Sequence, residues 1–204
     1  MIYPAFYDQA PRIVLRDPLA AFLGAADDGL LEYHYLDAVK LAGHSCPTVA
    51  GAYLMARTAL RTLYPDEVAE RGSIAVRMPA AEGAGVTGVI AQVLTLITGA
   101  AASNGFHGIG GRFARQSLLE FSDAGDTAAV QFRRRDNGSA VAVELDLATV
   151  PAPANLRELI AAALMPAAPA EQLAALAQAW QGRARRLLLD HADDPMVLRL
   201  TRLH

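Results

Sequence analysis

The order of patterns along this chain predicts an α+β fold. Three segments, Gln116 to Phe121, Ala128 to Arg134 and Ala140 to Leu147, alternate apolar and polar residues with the period of half-buried strands. Helical spacing rules elsewhere. Pro47 to Leu63 sets Val49, Tyr53, Ala56, Leu60 and Leu63 on one face, and Val86 to Thr98 is almost wholly apolar, which places it between other elements. Helices and strands come in blocks, not in a regular β-α alternation.

Met1 to Arg16 is aromatic and interrupted by Pro4 and Pro11, so it reads as an extended arm. Asp17-Pro18 opens a short helix, with Asp17 as cap and Pro18 at the first helical position. Leu31 to Tyr35 alternates like a strand, with Glu32 and His34 on one face and Tyr33 and Tyr35 on the other. Leu36 to Ala42 is a short helix, and Gly43 supplies the left-handed residue that ends it. Within Pro47 to Leu63, Met55 reads as core filler. Ser73 to Met78 is a strand with Ile74, Val76 and Met78 on its buried face.

Gly99 to Gly111 is a loop of glycines and small residues around His107. It follows a helix and lacks a Lys-Ser/Thr ending, so it is not a phosphate loop, but its backbone is free to approach a ligand. Asp123 to Asp126 and Asp136-Asn137-Gly138 read as hairpin turns that fold the three strands into an antiparallel meander. Arg133-Arg134-Arg135 then lies at the solvated end of a hairpin, with contact to a phosphate or a carboxylate as the alternative. Pro151 and Pro153 mark a change to alanine-rich helix, dividing the chain into 1–150 and a helical extension, 151–204. Asn155 to Met165 and Pro169 to His191 are its helices, and Asp194-Pro195 opens a last short one. Arg183, Arg185 and Arg186 form a solvated or partner-facing stripe, and His191 and His204 are expected at the surface.

The chain has 204 residues, 53% of them hydrophobic, and its 18 basic and 21 acidic residues leave a net charge of −3. That balance offers no field for nucleic acid or for an anionic membrane. A single cysteine excludes an internal disulfide framework. The start lacks the basic and apolar segments of a signal peptide, and Val86 to Ala102 falls short of a membrane span, so a cytoplasmic protein is expected.

The chemistry concentrates in Gly43-His44-Ser45-Cys46-Pro47. Pro47 suits the first position of a helix, which puts Cys46 at or beside its N-cap. A thiolate there is favoured by the helix dipole and free N–H groups. With His44 two residues away, the pair forms either a soft metal site or a nucleophile with its base. A buried apolar cysteine beside a capping histidine is the bland alternative.

Ala42-Gly43-His44-Ser45-Cys46-Pro47 resembles the Gly-His-x-Cys-Pro signature of the FmdE family of formylmethanofuran dehydrogenase components. Gln92, Thr98-Gly99, Asn104-Gly105, Gly111 and the strand Leu118 to Phe121 resemble that family's Gln, Thr-Gly and Gly-x-Gly run leading into a strand. The likeness covers roughly residues 30 to 147. It implies a mixed sheet, a homodimer, and a metal site, commonly zinc, with His44 and Cys46 as ligands. The chain departs from the family in three places. Gly85 to Val89 stand where the family has a second cysteine and an aspartate, Thr48 replaces a glycine, and the C-terminal Cys-x-x-Cys ribbon is absent.

Zinc, or another divalent transition metal, takes at least three protein ligands as a rule, and the motif supplies two. His107 and His34 are the candidates for the others, with Glu82, which aligns loosely with an acidic residue of the family. Tyr33, Tyr35, Glu82, Asn104 and Gly105 are the candidate lining of a small-molecule pocket at the metal. A metal-binding protein is the first expectation. A metal-free cysteine enzyme with His44 or His107 as base, and a non-catalytic scaffold dimer with a decayed site, are the alternatives.

Overall fold

A computed structural model of the chain describes residues 2–122 and 128–203. The N-terminal arm is anchored by Phe6 and Tyr7, both buried, and then forms a strand, β1 (Ile13–Arg16), where the sequence suggested no regular structure. β1 pairs antiparallel with β2 (Leu30–Tyr33) and parallel with β3 (Ala69–Glu70), giving a small mixed sheet of order β2-β1-β3. Between β1 and β2 lies α1 (Pro18–Phe22), capped as expected by Asp17, whose Oδ1 accepts the Leu19 N–H at 2.9 Å.

The strand expected over 31–35 stops at Tyr33. His34 is the N-cap of α2 (Tyr35–Ala42), because the Asp37 carboxylate reaches back to accept the His34 backbone N–H at 2.8 Å. That local bond satisfies a helix-end donor and overrides the apolar alternation. α2 ends at Gly43, whose φ of 74° is the left-handed conformation expected there.

Cys46 and Pro47 open α3 (Pro47–Leu63), the central helix. Its expected apolar face is buried throughout, and so are Leu54 and Met55. Small residues let the sheet approach closely: a Cβ on Gly51 would lie 2.2 Å from a Leu145 methyl. The second sheet contains β4 (Ile74–Met78), followed by α4 (Thr87–Thr98), then β5 (Leu119–Phe121), β6 (Val130–Arg134) and β7 (Ala140–Leu145).

The α+β class is therefore present with two mixed sheets, but the meander is not. β5 runs parallel to β4 on one side, while β6 runs antiparallel to β4 on the other, Val76 lying opposite both Leu119 and Phe132. β4 has intervened between two strands adjacent in sequence, a pairing that alternation alone does not specify. The expected turn at Asp123 to Asp126 lies outside the described residues. The β6–β7 hairpin forms as read.

The C-terminal segment contributes α5 (Leu156–Ala163), α6 (Ala170–Arg185) and a π turn over Arg186–Asp190. Ala184, Leu187, Leu188 and Val197 join the same buried cluster as α3 and the sheet. The short helix expected at Asp194-Pro195 is instead a turn, in which the Asp194 carboxylate accepts the Met196 N–H at 2.8 Å. It leads into β8 (Leu198–Leu203), which pairs antiparallel with β7 along its whole length, so the larger sheet has the order β5-β4-β6-β7-β8. No helix among the described residues is long and apolar enough to cross a membrane.

Two arginine groups expected in solvent are tied down. Arg134 is buried, donates to the Leu63 carbonyl at 2.9 Å, pairs with Glu67 and Asp136, and lies over the Tyr64 ring. Burial pushes the Tyr64 hydroxyl up to about 12. Arg183 and Arg186 hold the carbonyls of Val150 and Pro151, at 2.7 and 2.9 Å. His191, expected at the surface, is half-buried with Nδ1 at 2.8 Å from Asp194 Oδ2. His204 lies outside the described residues.

The ends of β1 and β3 meet the loop before β5 at a buried ion triad. Asp17 pairs with Arg71 at 2.9 Å and with Arg115 at 2.6 Å, and only 4% of Asp17 is exposed. Burial raises its carboxyl, but the Arg71 hydrogen bond and the two guanidinium charges outweigh this and hold it below its ordinary 3.8. Its stabilising contribution is therefore complete above the ordinary carboxyl range and is lost as pH falls through the lower folded value. Asp17→Asn should cost about 3–5 kcal/mol at pH 7 in urea unfolding, because it strands buried arginine charge. The gap between variant and wild type should close as pH falls below about 4. A pH-independent gap would remove the ion triad as its cause.

Candidate functional site

The Gly43–Pro47 turn joins the end of α2 to the start of α3, and it is fixed from three sides. On its inner side the Ser45 hydroxyl lies 2.8 Å from the Tyr35 hydroxyl, and both groups are buried. On its outer side the Ser45 carbonyl accepts the Trp180 indole N–H at 2.9 Å and the Gln181 amide at 3.4 Å, both from α6. Along the chain, Cys46 Sγ accepts the Val49 N–H at 3.5 Å, which makes the thiol the side-chain cap of α3.

The two motif donors occupy different environments. Cys46 is 7% exposed, while His44 is exposed with its Nδ1 at 3.0 Å from the Ala42 carbonyl. With Nδ1 protonated and held there, Nε2 carries the free lone pair. A histidine that binds metal through Nε2 is commonly oriented by such a carbonyl contact.

The other predicted ligands are not assembled around this turn. His34 caps the opposite end of α2, eight residues or about 12 Å of helix away. Its Nε2 instead faces Glu32 at 2.9 Å, and Arg12 shares the same carboxylate. His107 and Glu82 are exposed, in the glycine loop and in the segment before α4. Among the described residues, no group of three or more His, Cys, Asp or Glu side chains stands close enough to hold a metal ion.

The expected pocket lining is also dispersed. Tyr35 is fully buried in an aromatic chain, edge-on to Tyr7 and Tyr53 at 5.2 and 5.8 Å between centroids. Burial raises its hydroxyl well above the ordinary phenol range, against the hydrogen bond it shares with Ser45. Tyr33 is half-buried, and its carbonyl accepts from the Tyr53 hydroxyl at 2.9 Å. Asn104 is exposed. Gly105 is buried where a Cβ would meet the Gln116 backbone at 2.7 Å, so its smallness serves a contact within the loop. The loop closes on itself: Arg115 N–H donates to the Phe106 carbonyl at 2.7 Å, and Leu118 N–H to that of Ala101 at 3.0 Å.

Ser45, Trp180 and Gln181 are the residues that sequence reasoning missed. The only cue was that the chain's sole tryptophan lies in α6, since indole N–H groups seek a partner when partly buried.

A family model described as "FmdE, Molybdenum formylmethanofuran dehydrogenase operon" matches residues 41–194, about three quarters of the chain. None of the curated proteins compared with the chain matches it.

If α6 holds the turn, Trp180→Phe should keep most of the packing and lose one hydrogen bond, at a cost of about 1 kcal/mol in urea unfolding. Cys46 should then react several-fold faster with Ellman's reagent under native conditions. Unchanged stability together with unchanged thiol reactivity would show that the contact does not support the turn.

Proposed function

Starting from the chain's membership of the FmdE family, to which it belongs, we propose that the Gly43–Pro47 turn binds a soft divalent metal, zinc by the chemistry of its donors, through Cys46 Sγ and His44 Nε2. The observation that carries this reading is the presentation of the two donors. Cys46 sits at the N-terminus of a 17-residue helix with its Sγ accepting the Val49 N–H, and His44 is oriented by the Ala42 carbonyl with Nε2 free.

The donor set fits such an ion in kind and falls short in number. Within one chain it supplies two ligands among the described residues, so the remaining positions belong to ligands from outside: water, a small thiolate or carboxylate, or a second copy in a homodimer. A metal with open positions would supply Lewis acidity toward a small molecule there. The protein's own part is to fix the Cys46 sulfur on the inner side of the turn and to orient the imidazole at its rim.

The scaffold reading is the competitor. It is favoured by the dispersal of His34, His107 and Glu82 and by the structural use of Tyr35 and Ser45. The metal-free cysteine enzyme is not supported. His44 spends Nδ1 on Ala42, Cys46 takes the Val49 N–H, and no hydrogen bond joins the two among the described residues.

Elemental analysis of untagged protein, purified without added metal, separates these readings. Bound zinc should be lost in Cys46→Ala, weakened at least about tenfold in His44→Ala, and unchanged in His191→Ala, whose ring is held by Asp194. Zinc retained by Cys46→Ala would place the metal elsewhere. No metal in wild type, even after incubation with zinc, would leave the scaffold reading.

A further inference from the structure

The glycine loop has a second arm that the turn does not use. Its residues Gly111 to Arg115 come back across the β3–β4 connection, and together they line an open pocket of about 380 Å³. Four guanidinium groups line it, from Arg71, Arg112, Arg115 and Arg135, against one carboxylate, Glu70. We propose that this pocket binds a small anion through a carboxylate or phosphate group.

Charge counting separates structural from available groups. Asp17 pairs with both Arg71 and Arg115, one carboxylate against two guanidinium charges, and Arg71 is further occupied by the Leu96 and Thr95 carbonyls. Glu70 accepts the Ser73 hydroxyl. Arg112 and Arg135 have no carboxylate partner among the described residues. Arg112 stacks 4.8 Å from the centre of the Phe113 ring, and Arg135 donates only to the Gly72 carbonyl, at 3.3 Å. Two exposed guanidinium groups therefore stand at one mouth with their positive charge unspent.

The second observation is a buried donor without an acceptor. Arg115 is 7% exposed, yet its Nε lies buried with no hydrogen-bond partner. An unmade bond to a buried, charged donor is costly, so an acceptor at this place is favoured. The pocket is also shaped for the guanidinium. Gly72, at φ +86°, leaves a space that a Cβ would fill, since that atom would fall 1.3 Å from Arg115 Nη1. Phe113 holds a φ of +63°, which a bulky residue rarely adopts, with its ring packed 5.2 Å from that of Phe22. Strained backbone, a cradled guanidinium and uncompensated charge meet in one place. Arginine forks match the paired oxygens of carboxylates and phosphates, which sets the ligand class.

Isothermal titration calorimetry on the full chain tests this with inorganic phosphate, phenyl phosphate and benzoate, at low and at physiological salt. The double variant Arg112→Gln/Arg135→Gln removes the two guanidinium groups that have no carboxylate partner, so the fold stands. It should bind at least about tenfold more weakly, and Arg133→Gln, an exposed arginine outside the pocket, should bind like wild type. Tighter phenyl phosphate than benzoate would assign a phosphate ligand, and the reverse order a carboxylate. No binding of any of the three by wild type, or equal binding by the double variant, would overturn the proposal.

Discussion

Ser45 is the point at which four separate parts of the chain are fastened together. Its hydroxyl meets Tyr35 at the start of α2, and its carbonyl takes Trp180 and Gln181 from α6. Gln181 also accepts from Tyr7 of the N-terminal arm, whose ring lies edge-on to Tyr35. A buried carbonyl and a buried hydroxyl each need a partner, so the placement of Ser45 dictates where the arm, α2, α3 and α6 lie. Cys46 inherits its position from that arrangement. Its thiol is dry because the residue before it is tied down on both sides.

The same arrangement explains why the chain presents its soft donors as a pair. α2 is a rigid spacer between His34 and His44, and Glu32 holds the first of these in a different network with Arg12. The glycine loop closes through Arg115 and Phe106, which leaves His107 at its exposed rim. The family match spans the turn, α3, α4 and the glycine loop, while this chain's own residues leave no group of three or more metal donors together among the described residues. From the C-terminal segment, α6 buttresses the turn from outside.

What could be read from the sequence depended on how local its cause was. Asp17-Pro18, Gly43 and Cys46-Pro47 act within one helical turn, and each boundary they marked is present. Tyr35 was misplaced by one competing local bond, that of Asp37 to His34, which outweighed a convincing alternation. The pairing of β4 between β5 and β6 was illegible because alternation tells which face of a strand is buried, not which strand lies beside it. Arg134 and Arg183 looked solvated because the Leu63 and Val150 carbonyls and the Glu67 carboxylate that hold them lie far along the chain. The anion pocket is illegible for the same reason, its arginines coming from the β3–β4 connection, the glycine loop and the end of β6. For the turn, the motif named the two donors but not the Trp180 contact that holds them in place.

The pairing of β7 with β8 bears on how the molecule is assembled in time. Residues 140–145 and 198–203 are separated by two helices and a π turn, so their pairing closes a far longer loop than the hairpin of β6 and β7. Without β8, β7 would be a bare edge, with the N–H and C=O groups on that side unpaired and open to another chain. In the finished fold the C-terminal segment covers that edge of the sheet. Partially folded chains that lack it carry the aggregation risk that the finished protein does not.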